Sequence, residues 1–415
     1  MGAHLPEDLI RKVLEYLMEG VAHGPKLPFV LASICRLWRE VACTTPELWA
    51  NILVIQELKE KGAEKYLSFC LERSKQLPLS IDVQHAEPKV FNLLTKAIGR
   101  WGHLSCQQSN YIAITDILRR QNPKRNNCFA SLTSVDINFG VIDHIQDPRN
   151  PKPGHQELWP NLRSLSITCV TPSTFFYLMP ASLMELKVRC RIFSSRMLFE
   201  IFSICPTLLS IDLMVMKVHL SSNVPSSMSN PPILLLERLT ISAGKILSLI
   251  VPLASSLISV VLTPSSLADQ PIFPTTETTF RSNLKTLTIY VSSKMPNDRM
   301  LELAKLLGFL PALEKLVVRG SKADPVLADV SPLFGWSDSA MHNDVLRALV
   351  ELELRFVDLR SSFENLLHVA ERMMNFTDHR DEKPKITFMG CLGMEQCARN
   401  ALEMIIIAEY LSDQC

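Results

Sequence analysis

Residues 159–167 read WPNLRSLSI, and this stretch carries the pattern that decides the fold of the chain. Pro160 cannot continue a helix, and the leucine two residues later opens an apolar pattern, L-x-x-L-x-I, whose last apolar residues alternate with serine. The same motif, a proline followed two residues later by leucine, occurs at 205–208 (CPTL) and at 310–313 (LPAL). The stretch therefore predicts a helix stop that is followed at once by a short strand with one buried face.

The pattern recurs along the chain with conservative apolar replacements. Successive copies begin 21 to 36 residues apart, and most spacings lie near the period of leucine-rich repeats, about 20–29 residues. The nine apolar triplets are Leu132-Val135-Ile137, Leu162-Leu165-Ile167, Leu183-Leu186-Val188, Leu208-Ile211-Leu213, Leu236-Leu239-Ile241, Leu257-Val260-Leu262, Leu284-Leu287-Ile289, Leu313-Leu316-Val318 and Leu349-Leu352-Leu354. Because one repeat cannot bury its apolar side alone, the repeats must stack. The pattern predicts an α/β fold, an irregular leucine-rich-repeat-like solenoid with a parallel curved sheet and helices outside.

Helical patterns lie between the predicted strands, at residues 197–205, 246–253, 298–307 and 363–374. Residues 394–411 also have helical periodicity and are predicted to cap the last repeat. Three stretches are predicted to be insertions or loops, namely 143–155, 221–230 and 321–343. The asparagine or cysteine that usually follows the strand in such repeats is absent. A doubly wound α/β domain is the competing fold, although that fold favours longer β-branched runs.

Composition limits the class of protein. Of the 415 residues 47% are hydrophobic, and 43 Lys and Arg against 42 Asp and Glu give a net charge of +1. The apolar fraction excludes a wholly disordered chain, and the balanced charge argues against a dedicated nucleic-acid binder. No apolar run is long enough to suggest a membrane span. The eleven cysteines form no C-x-x-C pair, which predicts reduced and mostly buried thiols in a cytoplasmic or nuclear protein.

Catalysis is not expected. The sequence lacks the motifs of phosphate-binding loops, zinc proteases, serine hydrolases and dinucleotide-binding folds, and no histidine lies four residues from another histidine or a cysteine. Cys391 and Cys397 are interpreted as packing residues rather than redox partners. The basic stretch 119–125 is interpreted as a solvated loop because no aromatic residues interleave with it. We therefore expect a non-enzymatic protein with no cofactor and no metal.

The first fifty residues have helical spacing. Leu5-Pro6 opens the first helix, and Thr44-Thr45-Pro46 stops a second helical stretch that begins near Phe29. About fifty residues cannot cover both Trp38 and Trp49, because so small a unit buries too little of its surface. These apolar side chains must be covered by the remainder of the chain or by another protein, and periodicity alone favours neither.

The ordered motifs of this segment resemble an F-box. Leu5-Pro6, then Cys35-x-x-Trp38-Arg39, then Leu48-Trp49 match the shortened signature of that family in order and within its usual length. The segment 19–27 departs from the family, because it is longer and more broken by Gly and Pro than the usual turn. The following residues, Glu72 to Ser74 (ERS) and Leu77 to Ile81 (LPLSI), resemble the helix end and strand that follow the F-box in a large group of fungal F-box proteins.

The resemblance implies a domain order, with an F-box at 1–50, a connecting helix and first strand at 51–85, and a substrate-binding repeat domain at 86–415. It implies the substrate-recognition subunit of a Skp–cullin–F-box ubiquitin ligase, which binds a Skp-family adaptor and through it a cullin. The adaptor-binding residues implied by the resemblance are Leu5, Pro6, Leu9, Ile10, Leu14, Ile34, Cys35, Trp38, Leu48 and Trp49. The alternative is an adaptor-bound scaffold that acts outside any ligase.

The strand face of the repeats is the expected surface for a protein substrate, because its outward-pointing residues alternate with the buried leucines. The candidates are Lys187, Arg189, Arg238, Tyr290, Arg319 and Arg355, accompanied by Asp136, Asp212, Lys315 and Glu353. Their mixed charges favour no single ligand class, and an ordinary solvated face is the plainer interpretation for any one of them. Neither a nucleic acid nor a membrane is expected as a partner.

Overall fold

The structure is a computed structural model of the chain. It describes residues 6–20, 27–54, 60–84, 88–107, 110, 129–139, 159–169, 179–219, 235–242, 256–263, 283–293, 295–308, 310–322, 327–334, 348–361, 363–375, 385–389 and 391. The chain divides into two compact units, Met1–Leu186 and Lys187–Cys415. Each unit alternates helices with parallel strands.

The first unit begins with helices and continues with strands separated by helices. Its helices in the described residues are α1 (Glu7–Gly20), α2 (Leu27–Ile34), α3 (Arg36–Thr44), α4 (Glu47–Ala50), α5 (Glu60–Arg73) and α6 (Pro88–Lys96), with a 3₁₀ turn at Ile98–Arg100. Its strands are β1 (Asn51–Val54), β2 (Leu79–Val83), β3 (Trp101–Gln107), β4 (Ser134–Asn138) and β5 (Ser164–Cys169). The strands lie side by side in chain order, and each neighbouring pair is parallel.

The second unit begins within the next strand and follows the same plan. Its strands are β6 (Glu185–Ser194), β7 (Ser210–His219), β8 (Arg238–Ile241), β9 (Ser259–Leu262), β10 (Thr286–Tyr290), β11 (Lys315–Arg319), β12 (Ala328–Asp329), β13 (Glu351–Arg355), β14 (Val357–Asp358) and β15 (Lys385–Met389). Its helices, within the described ranges, are α7 (Ser195–Ile204), α8 (Asn297–Gly308), α9 (Ser331–Phe334) and α10 (Phe363–Asn375). From β7 to β11, then β13 and β15, neighbours are parallel, and β12 pairs separately with β14.

The strands predicted from the nine triplets are confirmed. Every apolar residue of the triplets is at most 4% exposed. The register places equivalent residues side by side, so that Leu239 on β8 aligns with Ile211 on β7 and with Val260 on β9. The intervening residues of β4, β5 and β10 are half-exposed, and each of these strands therefore has one buried and one accessible face.

The proline-containing motif before these strands forms a recurrent turn. The backbone N–H of Leu162 donates to the carbonyl of Trp159 at 3.2 Å, and Leu208 and Leu313 repeat this bond to the third residue before each of them. Proline suits the second position of such a turn, because its ring fixes the backbone angle that the turn requires. The W-P-N-L and C-P-T-L motifs therefore act as turns that begin each strand.

Three of the four predicted inter-strand helices are confirmed. The patterns at 197–205, 298–307 and 363–374 correspond to α7, α8 and α10. The strand predicted at Leu79 is β2. The helix predicted at 246–253, the loops at 143–155 and 221–230 and the cap at 394–411 lie outside the described residues.

Other elements differ from the prediction. The repeat template does not identify β1, β3 or β15, because the position of its first leucine holds Trp49, Trp101 and Lys383 in these three copies. The predicted insertion at 321–343 contains β12 and α9 in its described part. The sheet therefore has strands before and after those that the template finds.

The second predicted helix of the N-terminal segment is two helices. Cys35 has an extended backbone, with φ −159° and ψ 179°, and this residue separates α2 from α3. The carbonyl of Ala32 at the end of α2 accepts a hydrogen bond from Arg39 Nε at 2.9 Å. That bond satisfies one of the carbonyls that a helix end leaves without a partner in the helix. The stop at Thr44 is as predicted, because α3 ends there.

Candidate functional site

An apolar face without a cover distinguishes the first two helices. Leu9, Val13 and Tyr16 lie three to four residues apart on one side of α1 and are 47%, 42% and 78% exposed. On α2, three large apolar residues are likewise exposed, namely Phe29, Val30 and Ile34. We call these six side chains the N-terminal apolar face. Only four other large hydrophobic residues of the described chain are exposed to a comparable degree, and these are Leu235, Ile258, Leu301 and Met389.

A neighbouring stripe of α1 is packed. Ile10 and Leu14 of α1 are fully buried, and so is Ala42 of α3. Both α1 and α2 contact α3. Helix α1 therefore has two apolar stripes, of which one is covered by its own chain and the other is not. The exposed stripe is surplus to the packing of the described residues.

An aromatic cluster fixes α2 to the helices that follow it. The ring of Phe29 lies 5.3 Å from that of Trp49 in an edge-on arrangement and 5.7 Å from that of Phe69. Trp49 lies 4.9 Å from Phe69, and its indole N–H donates to the carbonyl of Ala42 at 2.8 Å. The guanidinium of Arg73 lies 4.2 Å from the ring centroid of Phe69. These contacts attach α2, through Phe29, to a packed base formed by Trp49 and Phe69.

The thiols and the phenol beneath this face are suited to packing rather than to chemistry. Burial raises the pKa of Tyr66, with Cys70 adding to the rise, and it raises the pKa of Cys70 to about 12. Burial likewise raises the pKa of Cys106, Cys169 and Cys205 to about 12. A thiol with so high a pKa is protonated at neutral pH and is a poor nucleophile.

The residues that the resemblance implies for adaptor binding fall into two groups. Pro6, Leu9, Ile34 and Cys35 are exposed, and Trp38 is half-buried. Leu5 lies outside the described residues. The other four are at most 4% exposed, namely Ile10, Leu14, Leu48 and Trp49, so in this conformation they support the face and are not accessible to another protein.

Sequence reasoning did not select four residues of the face as site residues, namely Val13, Tyr16, Phe29 and Val30. A signal for the first two exists, because Val13 and Tyr16 continue the i, i+4, i+7 series that begins at Leu9. Periodicity marks such a stripe as apolar, but it does not tell whether the chain itself covers it.

The candidate substrate residues are spread over the accessible strand face of the second unit. Lys187 forms an ion pair with Asp212 at 3.6 Å, and Arg189 and Arg238 are exposed. The structure brings the other three together, because Tyr290, Arg319 and Arg355 occupy equivalent positions on β10, β11 and β13.

A histidine on the strand face of the first unit is the nearest approach to a catalytic group. His103 Nδ1 lies 3.0 Å from Ser134 Oγ. Burial lowers the pKa of His103, while the charges of Asp136 and Asp82 on the flanking strands oppose the shift. A neutral imidazole beside a hydroxyl is a common packing arrangement, and it does not by itself define a reaction.

The described residues give no support for metal binding or for a membrane-spanning helix. Among the residues that the structure describes, no group of three or more His, Cys, Asp or Glu side chains could hold a metal ion. Within the same residues, no helix combines the length and the apolar character needed to cross a membrane. No protein-family model matches the chain, and no curated protein matches it.

Proposed function

We propose that this protein is the substrate-recognition subunit of a Skp–cullin–F-box ubiquitin ligase. In this proposal the N-terminal apolar face binds a Skp-family adaptor, the adaptor binds a cullin, and a leucine-rich-repeat-like solenoid holds a protein substrate. The observation that carries the proposal is the uncovered apolar face of α1 and α2, which lies in the same fifty residues whose motifs resemble an F-box.

The physical support is the free energy of covering that face. Burying one leucine or phenylalanine side chain is worth about 1.5–3 kcal/mol relative to leaving it in water. Three exposed apolar side chains on α1 and three on α2 therefore offer a second polypeptide a large gain on binding. Clusters of exposed apolar side chains mark protein-interaction sites in proteins. The packed base formed by Trp49 and Phe69 holds α2 in place through Phe29 before binding, which lowers the entropic cost.

The proposed mechanism is proximity. A receptor of this kind holds its substrate near a ubiquitin-charged conjugating enzyme and raises the effective concentration of the reacting groups, without supplying a nucleophile or a base. The buried, protonated thiols of the described residues are consistent with that role. Ubiquitin transfer takes place elsewhere in the assembly.

Capture of partners by the full chain tests the proposal. Leu9→Asp and Ile34→Asp place a charge on the N-terminal apolar face without disturbing buried packing, since both residues are about half-exposed. Leu301→Asp on α8 is the matched control, because Leu301 is 48% exposed and Leu9 is 47% exposed. We expect the wild type and the control to capture both adaptor and cullin, and the two face variants to lose both.

Two other outcomes of the capture experiment would count against this proposal. Equal adaptor capture by the wild type, the face variants and the control would contradict the proposed interface. Capture of the adaptor without the cullin would favour the alternative, an adaptor-bound scaffold that acts outside a ligase.

A further inference from the structure

Two arginines meet at the ends of two neighbouring strands of the second unit, where each side chain is about one-third exposed. Arg319 is the last residue of β11 and Arg355 is the last residue of β13, and the two are aligned in register. Tyr290 on β10 is aligned with Arg319 on the other side. Neighbouring strands lie about 4.8 Å apart, so the two guanidinium groups share one patch. Together with Glu353, which precedes Arg355 by two residues on the same face, they form what we call the Arg319–Arg355 cluster.

A buried carboxylate holds both arginines. Glu353 is only 6% exposed. Its Oε1 lies 3.6 Å from Arg319 Nη2 and forms an ion pair with Arg355 Nε. Arg319 also donates from Nη1 to the hydroxyl of Tyr290 at 3.4 Å, and its guanidinium carbon lies 5.9 Å from the centroid of that ring. The two cations are therefore positioned before any ligand arrives.

The charge balance of the cluster is uneven. One carboxylate neutralises one of the two guanidinium charges, so a single positive charge remains. Arg319 Nε and Arg355 Nε are two buried donors, and Glu353 Oε1 is one buried acceptor, that form no hydrogen bond in the described part of the chain, so donors exceed acceptors in the cluster. A buried donor without an acceptor is unfavourable, and a bound acceptor would remove that cost.

Neighbouring charged residues differ from the cluster in their pairing. Lys285 with Glu314 and Lys315 with Glu351 are one-to-one ion pairs at 2.8 Å. Lys385 on β15 is exposed and is aligned with Glu351. On the face of β11, β13 and β15, Lys315, Arg319, Arg355 and Lys385 stand against Glu351 and Glu353, and four positive minus two negative charges leave +2.

We propose that the Arg319–Arg355 cluster binds carboxylate groups of an acidic peptide segment. Planar guanidinium groups present paired N–H donors that match the two oxygens of a carboxylate, and the net positive face favours a negatively charged partner. That the peptide belongs to a substrate rests on the proposed function, whereas the ligand chemistry rests on the cluster alone.

Peptide binding to the full chain tests this inference. The probes are a labelled Asp/Glu-rich peptide and a Lys/Arg-rich peptide of equal length, followed by fluorescence anisotropy. The triple variant Arg319→Gln, Glu353→Gln, Arg355→Gln removes the cluster without leaving an unpaired buried charge, and it lowers the net charge by one. Arg196→Gln is the matched control, because it also lowers the net charge by one and breaks an exposed ion pair on α7.

We expect the wild type and Arg196→Gln to prefer the acidic peptide, and the triple variant to bind it about tenfold or more weakly. Added salt should weaken the wild-type binding. Equal binding by the three proteins, or no preference for the acidic peptide, would overturn the inference. Binding of inorganic phosphate to the cluster that the acidic peptide fails to displace would also overturn it.

Two further measurements keep the test decisive. If the thermal midpoint of the triple variant falls, Arg319→Lys replaces it, since that change keeps the charge but removes the guanidinium fork, and we expect weaker peptide binding. Unchanged binding would count against the cluster. Adaptor capture is measured on the same preparations. A wild type that binds the acidic peptide through the cluster but captures no adaptor would contradict the proposed function and leave this inference standing.

Discussion

Helices α1 and α8 are both amphipathic, yet their apolar residues have different surroundings. Helix α8 buries Met300, Leu303, Ala304, Leu306 and Leu307 and exposes one large apolar residue, Leu301. Helix α1 buries Ile10 and Leu14 but exposes Leu9, Val13 and Tyr16. The difference follows from position, because a helix between strands is covered by its own repeat and its neighbours. In α1 the second stripe has no cover in the described residues, and the proposed adaptor interface rests on that difference.

The two regions also differ in what a substitution should do. In the repeats, the apolar residues of each triplet are already desolvated, so their loss affects folding. On the N-terminal apolar face, side chains gain from burial only when a partner arrives, so their loss affects binding. Comparing buried with exposed residues of similar size separates these effects.

The largest expected loss of stability follows substitution of Trp49, which is 1% exposed. Trp49→Ala removes the ring contacts to Phe29 and Phe69 and the hydrogen bond to the carbonyl of Ala42. We expect a loss of about 3–5 kcal/mol in unfolding free energy. Tyr16→Ala, at a residue that is 78% exposed, should change it by no more than about 0.5 kcal/mol. Urea unfolding measures both, and equal losses would remove the distinction between packed base and exposed face.

The next largest change in stability is expected from replacing two glycines by alanine. A Cβ on Gly320 would clash with the carbonyl oxygen of Phe356, so Gly320→Ala forces the backbone after β11 away from the end of β13. We expect a destabilisation of about 1–3 kcal/mol. Gly62 in α5 has nothing within 4 Å of such a Cβ, and Gly62→Ala should stabilise by about 0.5–1 kcal/mol. Thermal unfolding compares the two, and a harmless Gly320→Ala would show that the repeat ends are less closely packed than the structure indicates.

The smallest expected effect is the contribution of His103 to the pH dependence of the unfolding free energy. Its pKa is lowered by burial below the ordinary value of 6.5, so the folded state binds a proton less readily than the unfolded chain. The unfolding free energy should therefore fall as the pH drops through about 6.5, and the fall should end below the lowered pKa of the folded state. His103→Gln removes this contribution. Urea unfolding between pH 7.5 and pH 5 should show a shallower dependence for the variant, and identical slopes would contradict the assignment.

Much of the repeat could be predicted from the sequence, for a physical reason. The L-x-x-L-x-L triplet and its proline stop are local in sequence. Because every copy buries the same positions, an ambiguous copy can be interpreted by comparison with the others. The strands β1 and β15 were not predicted because Trp49 and Lys383 occupy the position of the first leucine of the template. The sequence pattern did not reveal the break between α2 and α3 at Cys35, because the residues on both sides of it share one helical periodicity.

The site was less predictable than the fold. Ile10 and Leu9 are adjacent and similar, and only tertiary packing decides that the first is buried and the second exposed. The meeting of Arg319 with Arg355 depends on the register of β11 and β13. The triplets imply that register, because each arginine directly follows the last apolar residue of its triplet. The triplets do not show that Glu353 is buried and contacts both arginines.

Side-chain accessibility in the presence of a Skp-family adaptor tests the central claim most directly. Hydroxyl-radical footprinting of the full chain reports Tyr16 and Leu9 on α1 together with Leu301 on α8 in one experiment. The account predicts that the adaptor suppresses labelling of Tyr16 and Leu9 and leaves Leu301 unchanged. Labelling of all three that is indifferent to the adaptor would contradict it.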